Sequence, residues 1–386
     1  MEQVRAPDPN FQIGSGKVTE LAELVSEKQA DREIFGNELK PQQAYNLAKA
    51  TGVEIIDRFQ LILEIFVHRA ATTEAKLQIQ LADQRYELPR AKEKVKLAKK
   101  SEQPGFRGLG AYEVDVYYET IKRQIHRIQK KLKTVRRKRR LHRTRRLELG
   151  YSLVALAGYT NAGKSSLFNA LAKEAVQVDS GLFTTLSTTT RAIELSGRKI
   201  LLTDTVGFID DLPLTLIEAF HSTLEETIFS DIVLLVVDIS EPFAVIEKKL
   251  LCCLDTLQTI GAASIPIVTA LNKIDLLSKD ALQLKLANLK DLAPHPIPIS
   301  ALHHIDLARL KQALFGYLKE YVQISLWIPW KTQSMPFISW IHDRTEVHSL
   351  KYQGDGMSLT LKSVPSFAEK VRHKVEQLGG TFSKVK

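Results

Sequence analysis

Apolar and polar positions follow different periods in different parts of the chain. Four stretches in the second half, residues 153–157, 199–203, 232–238 and 265–271, are nearly unbroken apolar runs. That is the pattern of strands buried on both faces of a parallel sheet. Helical patterns separate most of them, so residues 150–323 read as an α/β domain with a mostly parallel sheet. Residues 61–99 instead carry Ile65, Phe66, Leu77, Leu81 and Leu88 at roughly heptad spacing, which predicts one long helix with a kink at Pro89. A Gly-rich breaker follows at residues 103–110. Beyond it, Tyr118, Ile121, Ile125, Ile128, Leu132 and Val135 recur every three or four residues, an a/d seam. Two long helices around a Gly-rich breaker predict an antiparallel, coiled-coil-like helical hairpin over residues 61–149.

The two ends read as smaller units. Residues 1–60 suggest a small α/β unit, with helices at 18–25 and 41–50 and strands at 33–35 and 53–56; Pro41 sits in the first helical turn. Residues 324–386 suggest a small α+β domain. There, residues 335–341, 347–352 and 358–361 read as strands, and 365–378 as a closing helix. Gly354-Asp355-Gly356 is a hairpin signal between the last two strands. Trp327-Ile328-Pro329-Trp330 marks the boundary, and Trp327, Trp330 and Trp340 read as core or domain-packing residues.

Composition narrows the class. The chain has 44% apolar and 25% charged residues, as soluble globular proteins do. No apolar run approaches the ~20 residues that span a bilayer. The first residues include Glu2, Asp8 and Pro9 and lack the apolar core of a signal peptide. The two cysteines, Cys252 and Cys253, are adjacent, poorly placed for a disulfide and too few for a zinc site. A cytoplasmic monomer is the expectation. The net charge of +10 is concentrated in one place: residues 120–147 hold fourteen Lys or Arg and no Asp or Glu, so the rest of the chain is net acidic.

Such a run on the back of an apolar seam has no acids for i,i+4 pairing, and self-repulsion disfavours it unless a polyanion neutralises it. Lys130, Lys131, Arg136, Arg137, Lys138, Arg139, Arg140, Arg143, Arg145 and Arg146 are the candidate RNA contacts. Aromatic residues are sparse among them, which favours recognition of backbone and shape over base readout.

The most specific chemistry is Gly158-Tyr159-Thr160-Asn161-Ala162-Gly163-Lys164-Ser165, a GxxxxGK[ST] loop between a strand pattern and a helix pattern. Its glycines let backbone N–H groups turn toward phosphates, aided by the helix N-terminus. Lys164 would reach the β- and γ-phosphates, and Ser165 would ligate Mg²⁺. Asp204-Thr205-Val206-Gly207 follows the next strand pattern; its carboxylate can hold a Mg²⁺-bound water and the Gly207 N–H can meet the γ-phosphate. Asn272-Lys273-Ile274-Asp275 ends a later strand. The Asp275 carboxylate can accept the ring N–H and exocyclic amine of guanine, a donor pair that adenine lacks, so GTP and GDP are favoured over ATP. Ser300, Ala301 and Leu302 could offer backbone N–H groups to the guanine oxygen. Between the P-loop and Asp204 lie Phe183, Thr184, Thr185, Leu186, Ser187 and further threonines, one of which would complete the Mg²⁺ shell. Phe208 stands where many GTPases carry the Gln that positions water, which predicts slow hydrolysis until a partner accelerates it.

Together, GYTNAGKSSLFNAL, FTTLSTTTRAI, DTVGFIDDLP, NKID and ISAL resemble the HflX family of translation-factor-class GTPases. IGSGKVTEL, FGNELKPQQAYNL, VEIIDRFQLILEIFVHRA and LQIQLADQRYELPR extend the likeness to roughly residues 11–323. The resemblance implies a P-loop GTPase domain preceded by a small α/β unit and the hairpin, acting on ribosomes mainly through the large subunit and its RNA. It implies Thr185 as the second Mg²⁺ ligand, with Lys164 and Gly207 completing the catalytic set, and Phe183–Ser187 in nucleotide contact. Ser187-Thr188 stands where Asp-Pro is usual, as in the archaeal branch. The Gly-rich tip, Gly105 to Glu113, is shorter than is common, and the N-terminal unit begins late. The alternative is a non-catalytic RNA-binding assembly module with GTP as an occupancy signal.

Overall fold

The computed structural model describes residues 7–70, 72–101, 109–148, 151–172, 189–195, 198–205, 207–210, 224, 226–318, 322–342 and 345–385. Within these, the side chains of residues 92–101, 109–115, 136, 138–148, 198, 199, 346 and 366 lie outside the description. The chain forms two compact units, one holding the described residues up to Val135 and the other those from Arg136 onward.

The first unit alternates α1 (Ser15–Lys28), β1 (Arg32–Phe35), α2 (Pro41–Thr51) and β2 (Glu54–Asp57). The two strands pair in parallel from Arg32↔Glu54 to Phe35↔Asp57, over a core of Val18, Leu39, Leu47 and Ile55. The single helix expected over 61–99 is two, α3 (Arg58–Arg69) and α4 (Thr73–Ser101). Asp57 starts α3 by accepting the Gln60 N–H at 3.0 Å, while the Gln60 side chain accepts the Asp57 N–H. Ala70 then turns extended, and the Thr72 hydroxyl accepts the Ala75 N–H at the start of α4. The apolar period runs on across this joint, so it does not mark the break. α4 remains helical through Pro89.

Asp57, 1% exposed, also accepts the Leu39 N–H at 3.1 Å, Arg90 at 3.2 Å and the Tyr86 hydroxyl. Burial, then the bond to Asp57, pushes the Tyr86 hydroxyl pKa well up. This satisfied buried pair fixes β2 against α4. α5 (Leu109–Glu148) has 40 residues, about 60 Å of helix. Its seam residue Leu132 packs with Leu77 and Leu81 of α4, flanked by Ile125 and Ile128, so the two long helices pair as their spacing predicts.

The second unit contains two sheets. The larger has the order β4-β5-β3-β6-β7-β8, formed by β3 (Ser152–Gly158), β4 (Thr189–Leu195), β5 (Arg198–Asp204), β6 (Ile232–Asp238), β7 (Ile267–Asn272) and β8 (Pro296–Pro298). All neighbours are parallel except β4 with β5. β4 was not expected from the sequence; it starts in the threonine-rich stretch, where polar side chains hide the strand signal. α6 (Lys164–Ala172), α7 (Phe243–Thr259), α8 (Lys279–Leu289) and α9 (Leu307–Tyr317) follow its strands. Leu167, Phe168 and Leu171 of α6 and Leu310 and Leu314 of α9 join the strand side chains in one core. Every residue of β3 is buried, so both faces of the sheet are covered, as the apolar runs required.

The smaller sheet has the order β10-β11-β9-β12, built by β9 (Val322–Pro329), α10 (Ser334–His342), β10 (Glu346–Gln353), β11 (Gly356–Ser363), α11 (Pro365–Gln377) and β12 (Thr381–Val385). Residues 335–341, expected as a strand, are helical. The Ser334 hydroxyl accepts the Lys331 N–H at 3.1 Å and donates to the Pro329 carbonyl at 2.7 Å, which starts α10. Phe337, Ile338 and Ile341 then fall on one buried face. Two strands, β9 and β12, were not expected. Trp340 packs against Phe337 and Phe367 as a core residue. Trp330 departs from expectation: it is 46% exposed and stacks on Tyr352 at 6.0 Å. Among the described residues no helix is long and apolar enough to cross a membrane.

Candidate guanine-nucleotide site

The site is built where β3, β5, β6 and β7 end and their loops begin. Gly158 closes β3 at φ 143°, and a Cβ there would collide with the Val236 carbonyl of β6. Only glycine lets the chain leave the sheet so close to its neighbour. Gly163 is also left-handed, at φ 93°, and a Cβ there would strike the Asn272 amide. The loop thus turns onto the N-terminus of α6, the geometry that collects N–H groups around an anion.

Lys164 opens α6 and is 8% exposed. Its ammonium donates to the carbonyls of Gly158 at 3.1 Å and Tyr159 at 2.8 Å. Burial lowers its pKa, opposed by the nearby Asp204 carboxylate. The ammonium is therefore held within the loop, aimed by its own backbone. The Ser165 hydroxyl donates to Asp204 Oδ2 at 3.1 Å, which brings two hard oxygen donors together. The Thr205 hydroxyl anchors the same segment to the Leu156 carbonyl at 2.5 Å.

Gly207 lies against the loop: a Cβ there would be 2.9 Å from both Lys164 Nζ and Thr160 Cγ2. The next residue, Phe208, donates its N–H to the Gly158 carbonyl at 3.0 Å and accepts the Thr160 N–H at 2.9 Å. Its side chain is 2% exposed. Sequence reasoning noticed only what Phe208 lacks; the structure gives it a positive task, joining the segment after Asp204 to the P-loop. Tyr159 reinforces this joint, since its hydroxyl accepts the Asp210 N–H at 3.1 Å.

Asn272 ties three loops together. Its amide donates to the Ala162 carbonyl at 2.9 Å, and its carbonyl accepts the Ala301 N–H at 2.9 Å. Lys273 is left-handed at φ 70° and pairs with Asp238 at 2.6 Å. Asp238 was missed by sequence reasoning, although an acid closing the apolar run of β6 was a usable signal; it lies in register with Asn272. Ile274 and Asp275 lie in a single 3₁₀ turn. Asp275 Oδ1 is buried with no hydrogen-bond partner, and Oδ2 lies 3.8 Å from His303 Nε2. A buried carboxylate oxygen without a donor is costly, and a ligand carrying N–H groups would satisfy it.

Of the three loop residues expected to offer N–H groups, Ala301 gives its own to Asn272 and Ser300 gives its own to the Ile305 carbonyl. The outward end of this loop is Leu302, 72% exposed. Phe183, Thr184, Thr185, Leu186 and Ser187, with Val206, lie outside the described residues. The first described residue after them, Thr189, is in register with Asp204. On α5, Lys130, Lys131 and Arg137 are exposed; the side chains of Arg136, Lys138, Arg139, Arg140, Arg143, Arg145 and Arg146 lie outside the described set.

Three family models match the chain in succession: a GTP-binding GTPase N-terminal region over residues 1–67, a GTP-binding GTPase middle region over 69–146, and a 50S ribosome-binding GTPase over 153–273. A GTPase HflX of Methanocaldococcus jannaschii is 46% identical over 345 residues, covering 89% of this chain and 84% of the relative. A GTPase HflX of Caldanaerobacter subterraneus subsp. tengcongensis is 38% identical over 365 residues, covering 94% and 82%. Among solved structures, a GTP-binding protein of Sulfolobus solfataricus in complex with GDP is 29% identical and covers 81% of this chain and 88% of that one, with a TM-score of 0.45.

Proposed function

The chain belongs to the HflX family of GTPases, and from that premise we propose that it binds GTP with Mg²⁺ and hydrolyses it in the cytoplasm while engaged with the large ribosomal subunit. The observation that carries the guanine assignment is the buried, partnerless Asp275 Oδ1. It sits three residues after the asparagine that ties the P-loop to the Ala301 loop. The ring N–H and exocyclic amine of guanine supply the two donors this carboxylate needs; adenine would leave it desolvated and unpaired.

The donor set suits a hard divalent cation. Ser165 Oγ and the Asp204 carboxylate are oxygens within 3.1 Å of each other, and Mg²⁺ prefers one or two protein oxygens plus water and phosphate. Ser165 would hold it directly with Thr185, and Asp204 through water. When bound, Mg²⁺ neutralises charge on the β- and γ-phosphate oxygens. The protein's own part is to bind and orient. Lys164, already desolvated and aimed by two carbonyls, meets the phosphates without reorganising, which is how a positioned charge stabilises a transition state. Gly207 can present its N–H to the γ-phosphate because nothing larger fits between Lys164 and Thr160. Phe208 supplies no hydrogen-bonding side chain for water, so its buried ring supports slow turnover in the isolated protein.

Single-turnover GTP hydrolysis with and without ribosomal subunits tests this reading. The expected result is a slow rate alone and a large acceleration with the large subunit; fast hydrolysis by the isolated chain would overturn it. The exposed Lys130, Lys131 and Arg137 on α5 support ribosomal RNA as the contact. Reversing these three charges should weaken co-sedimentation with ribosomes and flatten its salt dependence.

A further inference from the structure

The elements from β9 to β12 run β-α-β-β-α-β, and each neighbouring pair in the sheet is antiparallel. This is the split βαβ arrangement, in which both helices cover one face. The covered face is apolar: Ile324, Leu326, Ile328, Met357, Leu359 and Leu361 pack with α10 and α11. The registers define the other face. One complete row across all four strands is Lys351–Ser358–Trp327–Thr381. The next is Ser349–Thr360–Ser325–Ser383. The third row is Glu346–Lys362–Gln323–Val385.

This face is unusual for one that only meets water. Such faces are commonly made of long charged side chains, whereas here six of the eight residues in two rows are short hydroxyl residues. Among the described side chains, the two exposed cations of the face are Lys351, in a row without an acid, and Lys362, which is in register with Glu346. The indole of Trp327 stands in the middle, half-buried. Its ring lies over Gly356, where a Cβ would come within 2.8 Å of Cε2 and Cζ2. Gly356 thus leaves the room that the ring occupies.

We propose that the open face formed by Trp327, Ser325, Ser358, Thr360, Lys351 and Lys362 binds single-stranded RNA. A partly exposed indole on the open face of a four-stranded sheet offers a stacking surface to a base. Short hydroxyl side chains allow a base to approach the sheet and can exchange hydrogen bonds with 2′-hydroxyls and base edges. Lys351, flanked across its row by Ser358 and Trp327, suits a phosphate, and Lys362 adds a second cation further along the same face. A protein partner fits less well, because interface cores are contiguous apolar patches and this face has one aromatic among hydroxyls. The proposal is independent of the nucleotide site and of the contacts assigned to α5.

The test uses the full chain and a fluorescein-labelled hexaribonucleotide of mixed sequence carrying 4-thiouridine. Lys351→Glu with Lys362→Glu should weaken binding about tenfold and lower the salt slope by about 1.4, the release expected for two single-strand phosphate contacts. GDP affinity should stay within twofold, and both sites are exposed, so folding is preserved. Trp327→Leu should weaken binding at least fivefold with little change in salt slope. Photo-crosslinks should map to residues 322–363. RNA affinity unchanged within twofold in the lysine variant, or crosslinks confined to α5, would overturn the proposal. So would a lysine variant that keeps RNA affinity but no longer pellets with ribosomes, which would assign the face to a protein.

Discussion

The two sheets of the second unit bury their strands in opposite ways. β3 is buried at all seven positions and β6 at all but its last, whereas β9 and β11 alternate between buried and half-exposed. The first pattern leaves no free face, so chemistry can appear only where strands end. There the Gly158 loop, Asp204, Asp238 and Asn272 all gather. The second pattern keeps one face open, so the sheet surface itself is available to a ligand. Parallel strands need covered crossovers and antiparallel hairpins do not; connection topology therefore decides where each sheet can act.

The comparison can be probed with the protein's own side chains. Trp327 lies in β9, Trp340 in α10 and Trp330 in the loop between them, so all three tryptophans belong to the smaller-sheet region, whereas both cysteines, Cys252 and Cys253, lie in α7 beside the larger sheet. Tryptophan fluorescence therefore follows one sheet and thiol protection the other. Phe367→Ala removes a buried ring that packs on Trp340 and should cost about 3–5 kcal/mol. The expected outcome is early loss of the tryptophan signal in denaturant with fluorescent GDP still bound. A single shared transition would break the comparison by making the two sheets one cooperative body.

Asp275→Ala should produce the next largest effect, a loss of GDP affinity of roughly a hundredfold, since two hydrogen bonds to a charged acceptor disappear. Tryptophan fluorescence during unfolding should be unchanged. A variant that binds GDP normally would show that Asp275 does not read the base.

Cys253 gives a sharper test of the covered sheet. It is 1% exposed, and burial followed by the neighbouring Cys252 pushes its thiol up to about 12. Its folded pKa is raised, so the native thiol stays protonated at pH 8; any stability this contributes is full below the ordinary thiol value and declines as pH rises from there through the folded value. A thiol reagent at pH 8 should modify Cys253 only upon unfolding of the larger sheet's domain. Modification that instead tracks the tryptophan signal in Phe367→Ala would couple the two sheets. The smallest effect is expected for Ser334→Ala, which removes the bonds that start α10 and should cost about 1 kcal/mol, read as a small shift of the tryptophan-monitored midpoint.

Much of the nucleotide site was legible because its chemistry demands contiguous residue types. The phosphate-loop pattern sets Gly158, Gly163, Lys164 and Ser165 at fixed spacing, and the proposed guanine contact sets Asn272 and Asp275 three residues apart. The apolar seams of α4 and α5 were legible because helix pairing repeats every three or four residues. Less legible was anything set by a single local bond. The joint between α3 and α4 rests on Asp57 and Thr72, and the switch of residues 335–341 from strand to helix rests on Ser334. Apolar periodicity is silent about both.

By itself, then, the amino-acid sequence determined the phosphate-loop pattern, the expectation of guanine, the covered parallel sheet and the basic helix. Each follows from local composition at fixed spacing. The tertiary structure alone decided how the parts are held. Asn272 joins loops from Ala162 and Ala301 across 110 and 29 residues of chain, and Phe208 closes onto Gly158 and Thr160. Trp327 emerges on an open face because β9 aligns in register with β11 and β12, which follow it later in the chain. These contacts depend on which segments the fold brings together, and no local pattern encodes that.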